Sequence, residues 1–390
     1  ESTIIGSGGE VDVDATALAD NTDLNISGDS TVDVTGLQGD VRATQSSGFI
    51  DITTATSAVD LVIDTGAGSM DVTAQSGDVA IDATVMNGGE TLAIDGAADV
   101  DVSGAGTNVT VDADSGGNTL TGTFDVVMQD NATGVQVVTG SNTASVATGS
   151  GSSATVNVNA SALANNTLLS LTGAGTVTAT GLVGNADASG LSGDLTLTTA
   201  DNTTDQNISV TIGTGDSRID GVGTDDTVTV DADSVTGKTL ELTGDSDFIV
   251  NNLAQTLDAN VSGLSALAGV LTATTVDLND GSELSIILGE AQSNITVNED
   301  ATGAGSGSEA IIDASAMTSG SLDLDGTGDV EVDGARRDVD AADLTGTLDV
   351  DSANNVSFTV TTGIEDTKVS SEGSQSDITI NAAALTGDAD

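Results

Sequence analysis

Short runs in which an apolar residue alternates with Asp, Asn or Thr recur along the whole chain, and they restrict its fold more than any other feature. Val11-Asp-Val-Asp, Leu24-Asn-Ile, Val32-Asp-Val, Ile50-Asp-Ile, Leu61-Val-Ile-Asp and Val79-Ala-Ile-Asp follow one another in the first part of the chain. Apolar residues at i and i+2 lie on one face of a short strand. Between the runs lie Ser-Gly-Asp, Thr-Gly-Leu and Thr-Gly-Ala-Gly, which supply turn conformations and side chains that bond to backbone. Helical spacing is confined to Ala15 to Ala19 and Leu253 to Leu271, and the second carries Gly263 and Gly269. Almost the entire chain therefore reads as strands.

The runs belong to a longer repeat. VDVDATAL (11–18) leads into LNISGDSTVDVTGLQGDV (24–41), VNVNASAL (156–163) into a similar stretch from 168, and IIDASAM (311–317) into another from 322. Weaker copies are AIDATVM (80–86), TVDADSV (229–235) and TINAAAL (379–385). Leu18, Met86, Leu163, Val235, Met317 and Leu385 then mark corresponding positions of a degenerate repeat. Self-similarity at a period near seventy, divided into strand-turn steps, is the mark of a solenoid. Hairpin folds favour Asn-Gly or Asp-Gly turns, which are rare here. Sandwiches and barrels of this size bury large aromatics, yet the chain has four Phe and no Trp or Tyr. A coiled parallel sheet needs only small and β-branched inward residues, and it tolerates Pro poorly because each N–H is wanted by a neighbour. No Pro occurs. The expected fold is all-β, a right-handed parallel β-helix (β-solenoid) built from degenerate repeats of about seventy residues. Residues 1–252 and 308–390 read as solenoid repeats, and 253–307 as an irregular interruption with soft boundaries.

Charge and missing residue types exclude whole classes of function. The 390 residues carry 61 Asp plus Glu against 6 Lys plus Arg, a formal charge of −55, with no Cys and no His. Thiol nucleophiles, Ser-His-Asp triads, disulfides and zinc or haem sites are therefore ruled out. Nucleic acid is excluded as a partner, since phosphates need clustered Lys and Arg. No run approaches the length of a membrane-spanning helix. Disorder is contradicted by 37% apolar residues placed at regular intervals. Enzymes of acidic polysaccharides hold sugars with aromatic platforms and basic residues, and neither is numerous here, so a non-catalytic protein is expected. Arg336-Arg337 is the only basic cluster, expected to be a surface turn pairing with nearby Asp. Thr-x-Thr steps such as Thr176-Val-Thr178 would make a hydroxyl lattice if stacked in register, which the irregular repeat spacing argues against. Ten Asn-x-Ser/Thr sequons are near chance in so Ser- and Thr-rich a chain. A start at Glu1 rather than Met suggests processing, or a piece of something longer.

The outward Asp residues carry the remaining chemistry. Stacked about 4.8 Å apart on successive coils, carboxylates repel unless cations lie between them. Hard oxygen donors select calcium. The bland alternative is a solvated acidic face adapted to salty water. GTGDSRIDGVGTDDTVTVDAD (213–233) is the sharpest local case, with Asp216, Asp220, Gly221, Gly223, Asp225 and Asp226 as the candidate calcium ligands and ligand-turn residues. Gly221-Val-Gly-Thr-Asp225 matches the first half of the calcium-binding nonapeptide, and Gly66-Ala-Gly68 and Gly104-Ala-Gly106 are weaker echoes. In composition and repeat style the chain resembles the large repetitive bacterial surface proteins of the RTX group, which include calcium-binding adhesins and S-layer proteins. No tandem array of full nonapeptides is present, so a plain parallel β-helix with a few ion sites is expected. The resemblance implies export to the cell surface, extracellular calcium, and adhesion or matrix assembly. The expected partner is the chain itself, in a lattice or fibre. The alternative is an adhesive module presenting a site for cell-surface polysaccharide or a receptor.

Overall fold

A computed structural model describes residues 1–19, 22–57, 60–115, 117–201, 205–232, 238–261, 264–275, 283–298, 309–371 and 376–385. Among these residues there are 37 strands and no helix. Every strand pairing with a defined register is parallel, as between Val11 and Val32 or Val330 and Leu348. The chain folds as a parallel β-solenoid. It divides into two compact units, Glu1–Leu195 and Thr196–Asp390.

In the first unit the strands alternate between two parallel sheets. Ser2–Gly6, Leu24–Gly28 and Val41–Ser46 stack in one; Glu10–Asp14, Thr31–Leu37 and Ile50–Thr54 stack in the other. Alternation along each strand sends one set of side chains between the sheets. Val32, Val34, Ile50, Ile52, Met70 and Val72 are all at most 2% exposed, while Asp33, Asp51 and Asp71 between them face outward. The second unit repeats the scheme, with Asp247–Leu253 on Thr227–Asp231 in one sheet and Thr239–Gly244 on Ser217–Gly221 in the other.

Coil length varies, yet inward positions still stack on inward positions, with single register shifts within some pairs, as between Asn25 and Ser27. Leu24 lies over Val41, Leu169 over Ala186 and Leu322 over Val339, the same short step each time. These are corresponding positions in the three strongest repeats. Elsewhere the step is much longer, as where Ser293 pairs with Leu322. Of the Thr-x-Thr steps, Thr176 lies in register on Thr155, whereas Thr178 and Thr180 lie on Asn157 and Asn159, so this pair of coils builds no continuous Thr row.

The recurring phrase Asp-Ala-Thr or Asn-Ala-Ser is a corner of the coil. Asp14 Oδ1 accepts from the Thr16 N–H, Asp82 from Thr84, Asn159 from Ser161 and Asp313 from Ser315. Each is a side chain capping backbone two residues ahead. The helical spacing at Ala15 to Ala19 belongs to this corner. Spacing alone cannot separate a turn that buries Ala15 and half-buries Leu18 from one turn of helix. The described part of Leu253 to Leu271 likewise holds strand, turn and loop, including Thr256–Asp258 and buried Leu267. Within 253–307, four further strands are described: Thr256–Asp258, Leu271–Thr275, Glu283–Ile287 and Ser293–Val297. Residues 299–307, and Val235 of the repeat alignment, lie outside the described residues.

Glycine is required where coils approach most closely. Gly173 ends a strand at φ +110°, and a Cβ there would lie 2.1 Å from the Thr148 carbonyl oxygen of the preceding coil. Gly173→Ala is expected to destabilise the first unit by more than about 1 kcal/mol, because strain at positive φ adds to backbone collision. A urea titration followed by circular dichroism checks it, and an unchanged midpoint would contradict the close approach.

Candidate cation-binding sites

Outward positions of one strand stack on those of the next, so parallel register turns single carboxylates into columns. Asp12 pairs with Asp33, Asp33 with Asp51, and Asp51 with Asp71. Four aspartates thus occupy successive coils of one sheet. At its upper end the column lines an open groove with Thr73, Asp95, Ser115 and Asn118, where Asn118 Nδ2 donates to Asp95 Oδ2 at 3.2 Å. In the second unit Glu283 pairs with Glu309 and Glu309 with Asp329, and Asp323 and Asp325 lie beside Asp340 and Asp343.

Electrostatics follow from this stacking. Partial burial holds the Asp51 carboxyl above its ordinary value, helped by Asp33 and Asp95; Asp71 is raised by burial, Asp51 and Asp95. Glu309 is raised the same way, with Glu331, Asp329 and Glu283 near it. Asp125 is raised by burial and by Asp101, its register partner. Like charges one strand apart at a surface cost on the order of 1 kcal/mol per pair. Some columns carry their own counter-charge: Arg42 bridges Asp23 and Asp64, Arg218 meets Glu241 at 2.5 Å, and Lys368 meets Asp349 at 2.5 Å.

Other aspartates do structural work. Asp29 accepts from the Gly8 N–H, Asp40 from Val62, Asp99 from Thr123, Asp247 from Val270 and Asp329 from Thr347. Each ties one coil to its neighbour. Bonding of this kind stabilises the charged carboxylate and holds Asp99 below its ordinary value.

The structure places the candidates of 213–233 around one strand and the turn after it. Asp216 precedes the strand Ser217–Gly221; its Oδ1 accepts from the Thr239 N–H at 2.9 Å and its Oδ2 pairs with Lys238 at 3.3 Å. Asp220 faces outward and accepts from the Thr243 hydroxyl at 3.2 Å. Gly221 lies against Ser246, so closely that a Cβ would be 2.6 Å from its side chain. Gly223, Asp225 and Asp226 share the turn. Asp226 is 2% exposed; its Oδ1 accepts from the Gln206 N–H at 2.7 Å, and its buried Oδ2 has no partner. A Cβ on Gly223 would fall 2.0 Å from that Oδ2, which is why glycine stands there. The turn thus brings together Gly223, Asp225 and Asp226, whereas Asp216 and Asp220 are engaged on the following coil. Among the described residues no three carboxylates converge into a ready ligand set.

Burial raises the Asp226 carboxyl, with Asp205, Asp201 and Asp225 adding to the effect. A raised carboxyl contributes stability below its unfolded value of 3.8 and loses it as pH rises through the folded value. Asp226→Asn retains an oxygen for the Gln206 N–H and cannot ionise. It is expected to raise the thermal midpoint at neutral pH and leave it unchanged below the ordinary carboxylate value; a lower midpoint at neutral pH would show the charge to be needed.

No family model matches the chain, and neither the curated proteins nor the solved structures contain a match. Its function has to be read from the chain itself. The columns were implicit in the Val-Asp-Val runs, but which Asp stacks on which depends on loop lengths that repeat spacing did not resolve.

Proposed function

We propose that this protein is a non-catalytic structural solenoid of the cell surface or extracellular matrix, stabilised by calcium on its carboxylate columns and assembling with copies of itself. The observation that carries the reading is the column Asp12–Asp33–Asp51–Asp71. Its donor set is all hard oxygen at a repeat of about 4.8 Å, and it suits a divalent cation that accepts variable oxygen geometry. Calcium held between carboxylates would remove the repulsion within a coil stack. Held between two molecules, it would turn mutually repelling acidic surfaces into adhesive ones. The same charge keeps copies apart when calcium is absent. A place outside the cell is supported by the lack of cysteine and by the resemblance in repeat style to calcium-binding surface proteins.

Light scattering and negative-stain imaging in millimolar calcium and then in chelator test this. Fibres or sheets are expected with calcium, dispersing on chelation, with magnesium less effective because it dehydrates reluctantly. Isolated particles under all conditions would overturn assembly as the function.

A further inference from the structure

Four of the six basic side chains, Arg42, Arg218, Lys238 and Lys368, are committed to carboxylates on neighbouring coils. Arg336 and Arg337 differ. Among the described residues neither guanidinium meets a carboxylate oxygen within 4.0 Å, and Arg337 donates instead to the Thr318 carbonyl. This corrects the expectation that the pair is neutralised by nearby Asp. Asp338 next to them is taken up by the Thr359 N–H, which it accepts at 2.7 Å.

Their position is unusual for the repeat. The corresponding turns read Leu37-Gln-Gly39-Asp40 and Leu182-Val-Gly184-Asn185, with glycine where Arg337 stands. A Cβ on Gly39 or Gly184 would lie 2.2 or 2.4 Å from the carbonyl oxygen of Thr22 or Thr167 in the coil beneath. In the third repeat that lower turn is shorter by a single residue: Ala314 to Leu322 replaces the longer Ala15 to Leu24 and Ala160 to Leu169. The shortened turn leaves room for a side chain, and a cavity of about 270 Å³ opens beside it. Both arginines line the cavity, together with Thr318, Asn355, Ser357 and the apolar side chain of Val356.

We infer that this cavity binds a carboxylate-bearing ligand of monosaccharide size. A guanidinium presents a planar fork of donors matched to a carboxylate, and here two forks are free of internal carboxylate partners. Asn355, Ser357 and Thr318 offer an amide and two hydroxyls for ligand hydroxyl groups, and Val356 a small face for C–H groups. The volume lies just below that of pockets for drug-sized molecules, which suits one sugar ring. The strong negative charge of the chain repels anions at a distance, so recognition here is short-ranged and needs both arginines. The inference does not depend on calcium or on self-assembly.

Calorimetric titration of the full chain with sodium glucuronate tests it, with glucose and sodium acetate as comparison probes. Saturable glucuronate binding is expected, weakened at least ten-fold in Arg336→Gln and in Arg337→Gln, with acetate weaker than glucuronate and no saturable binding of glucose. The Arg336 guanidinium meets no carboxylate among the described residues, so Arg336→Gln should melt like the parent and keeps the test valid if Arg337→Gln misfolds. Glucuronate binding that survives in Arg336→Gln, or its absence from the parent, overturns the site. Acetate binding as tightly as glucuronate overturns the sugar-sized ligand.

Discussion

Truncating Phe124 to alanine is expected to lower the unfolding free energy by about 3–5 kcal/mol, the largest loss foreseen for any single side chain here. Phe124 is fully buried in the first unit. Its column runs Val79, Val100, Phe124, Ala144 and Leu169, one residue from each successive coil. The largest side chain of the column thus stacks next to its smallest, Ala144, and both are fully buried. Removing the ring leaves a cavity between the coils of Val100 and Ala144, and parallel backbone pairing on both sides keeps the neighbours from closing the gap. Each coil of a solenoid is supported mainly by the adjacent ones, so the loss is expected to fall on the local stack. Urea titration of Phe124→Ala and Phe124→Leu checks this. Leucine should recover more than half of the loss, and an alanine variant within about 1 kcal/mol of the parent would contradict the packing.

That column also shows how the sequence could be read and where it could not. Alternation in Phe124-Asp-Val and Val100-Asp-Val assigns the inward face directly, because period two admits only one inward set once the apolar residues are chosen. Parallel stacking followed from the turn chemistry and from the missing aromatics and prolines. Partners along the column were hidden, since strand patterns do not tell a short coil such as Leu24 to Val41 from a long one such as Ser293 to Leu322. The acidic residues were harder. Asp14, Asp82 and Asp313 build corners and Asp29, Asp99 and Asp329 tie coils together, yet in the sequence they look the same as the solvent-facing Asp51 and Asp71. Asparagine served a comparable end: Asn108, Asn131 and Asn355 adopt φ near +60°, so these three sequon positions are also backbone corners. In the nonapeptide-like segment the pattern does not tell the buried Asp226, whose Oδ2 has no partner, from Asp216 and Asp220, which accept from Thr239 and Thr243 of the following coil.

Replacing Asp51 and Asp71 together by asparagine is expected to raise the thermal midpoint in chelator at low ionic strength, and to reduce the gain that calcium confers. Both carboxyls are raised, by burial first and then by their acidic neighbours. A raised group contributes stability below its unfolded value of 3.8 and loses it as pH climbs through the folded value, so each ionised carboxylate weakens the fold at neutral pH. Mild acidification of the parent should therefore raise its midpoint. Further acidification should reverse the trend, because Asp14, Asp99 and Asp130, lowered by bonds to Thr16, Thr123 and Ser150, contribute stability above the ordinary value and lose it as pH falls through their own. Salt screens the part that acidic neighbours contribute and leaves the larger part due to burial, so the acid-side rise should shrink but persist at about 1 M ionic strength, where the Debye length is about 3 Å. Calcium acts differently: a ligand that binds only the folded state stabilises by RT ln(1 + [L]/Kd), a gain that keeps growing with concentration after simple screening has saturated. Asparagine at both positions removes two charges from the four-carboxylate column and should cut that growth while leaving the apolar core untouched. Melts in chelator and in a calcium series, for parent and double variant, decide the matter. A double variant that is less stable in chelator and gains as much from calcium as the parent would show the column to be a solvated acidic face, with any calcium bound elsewhere.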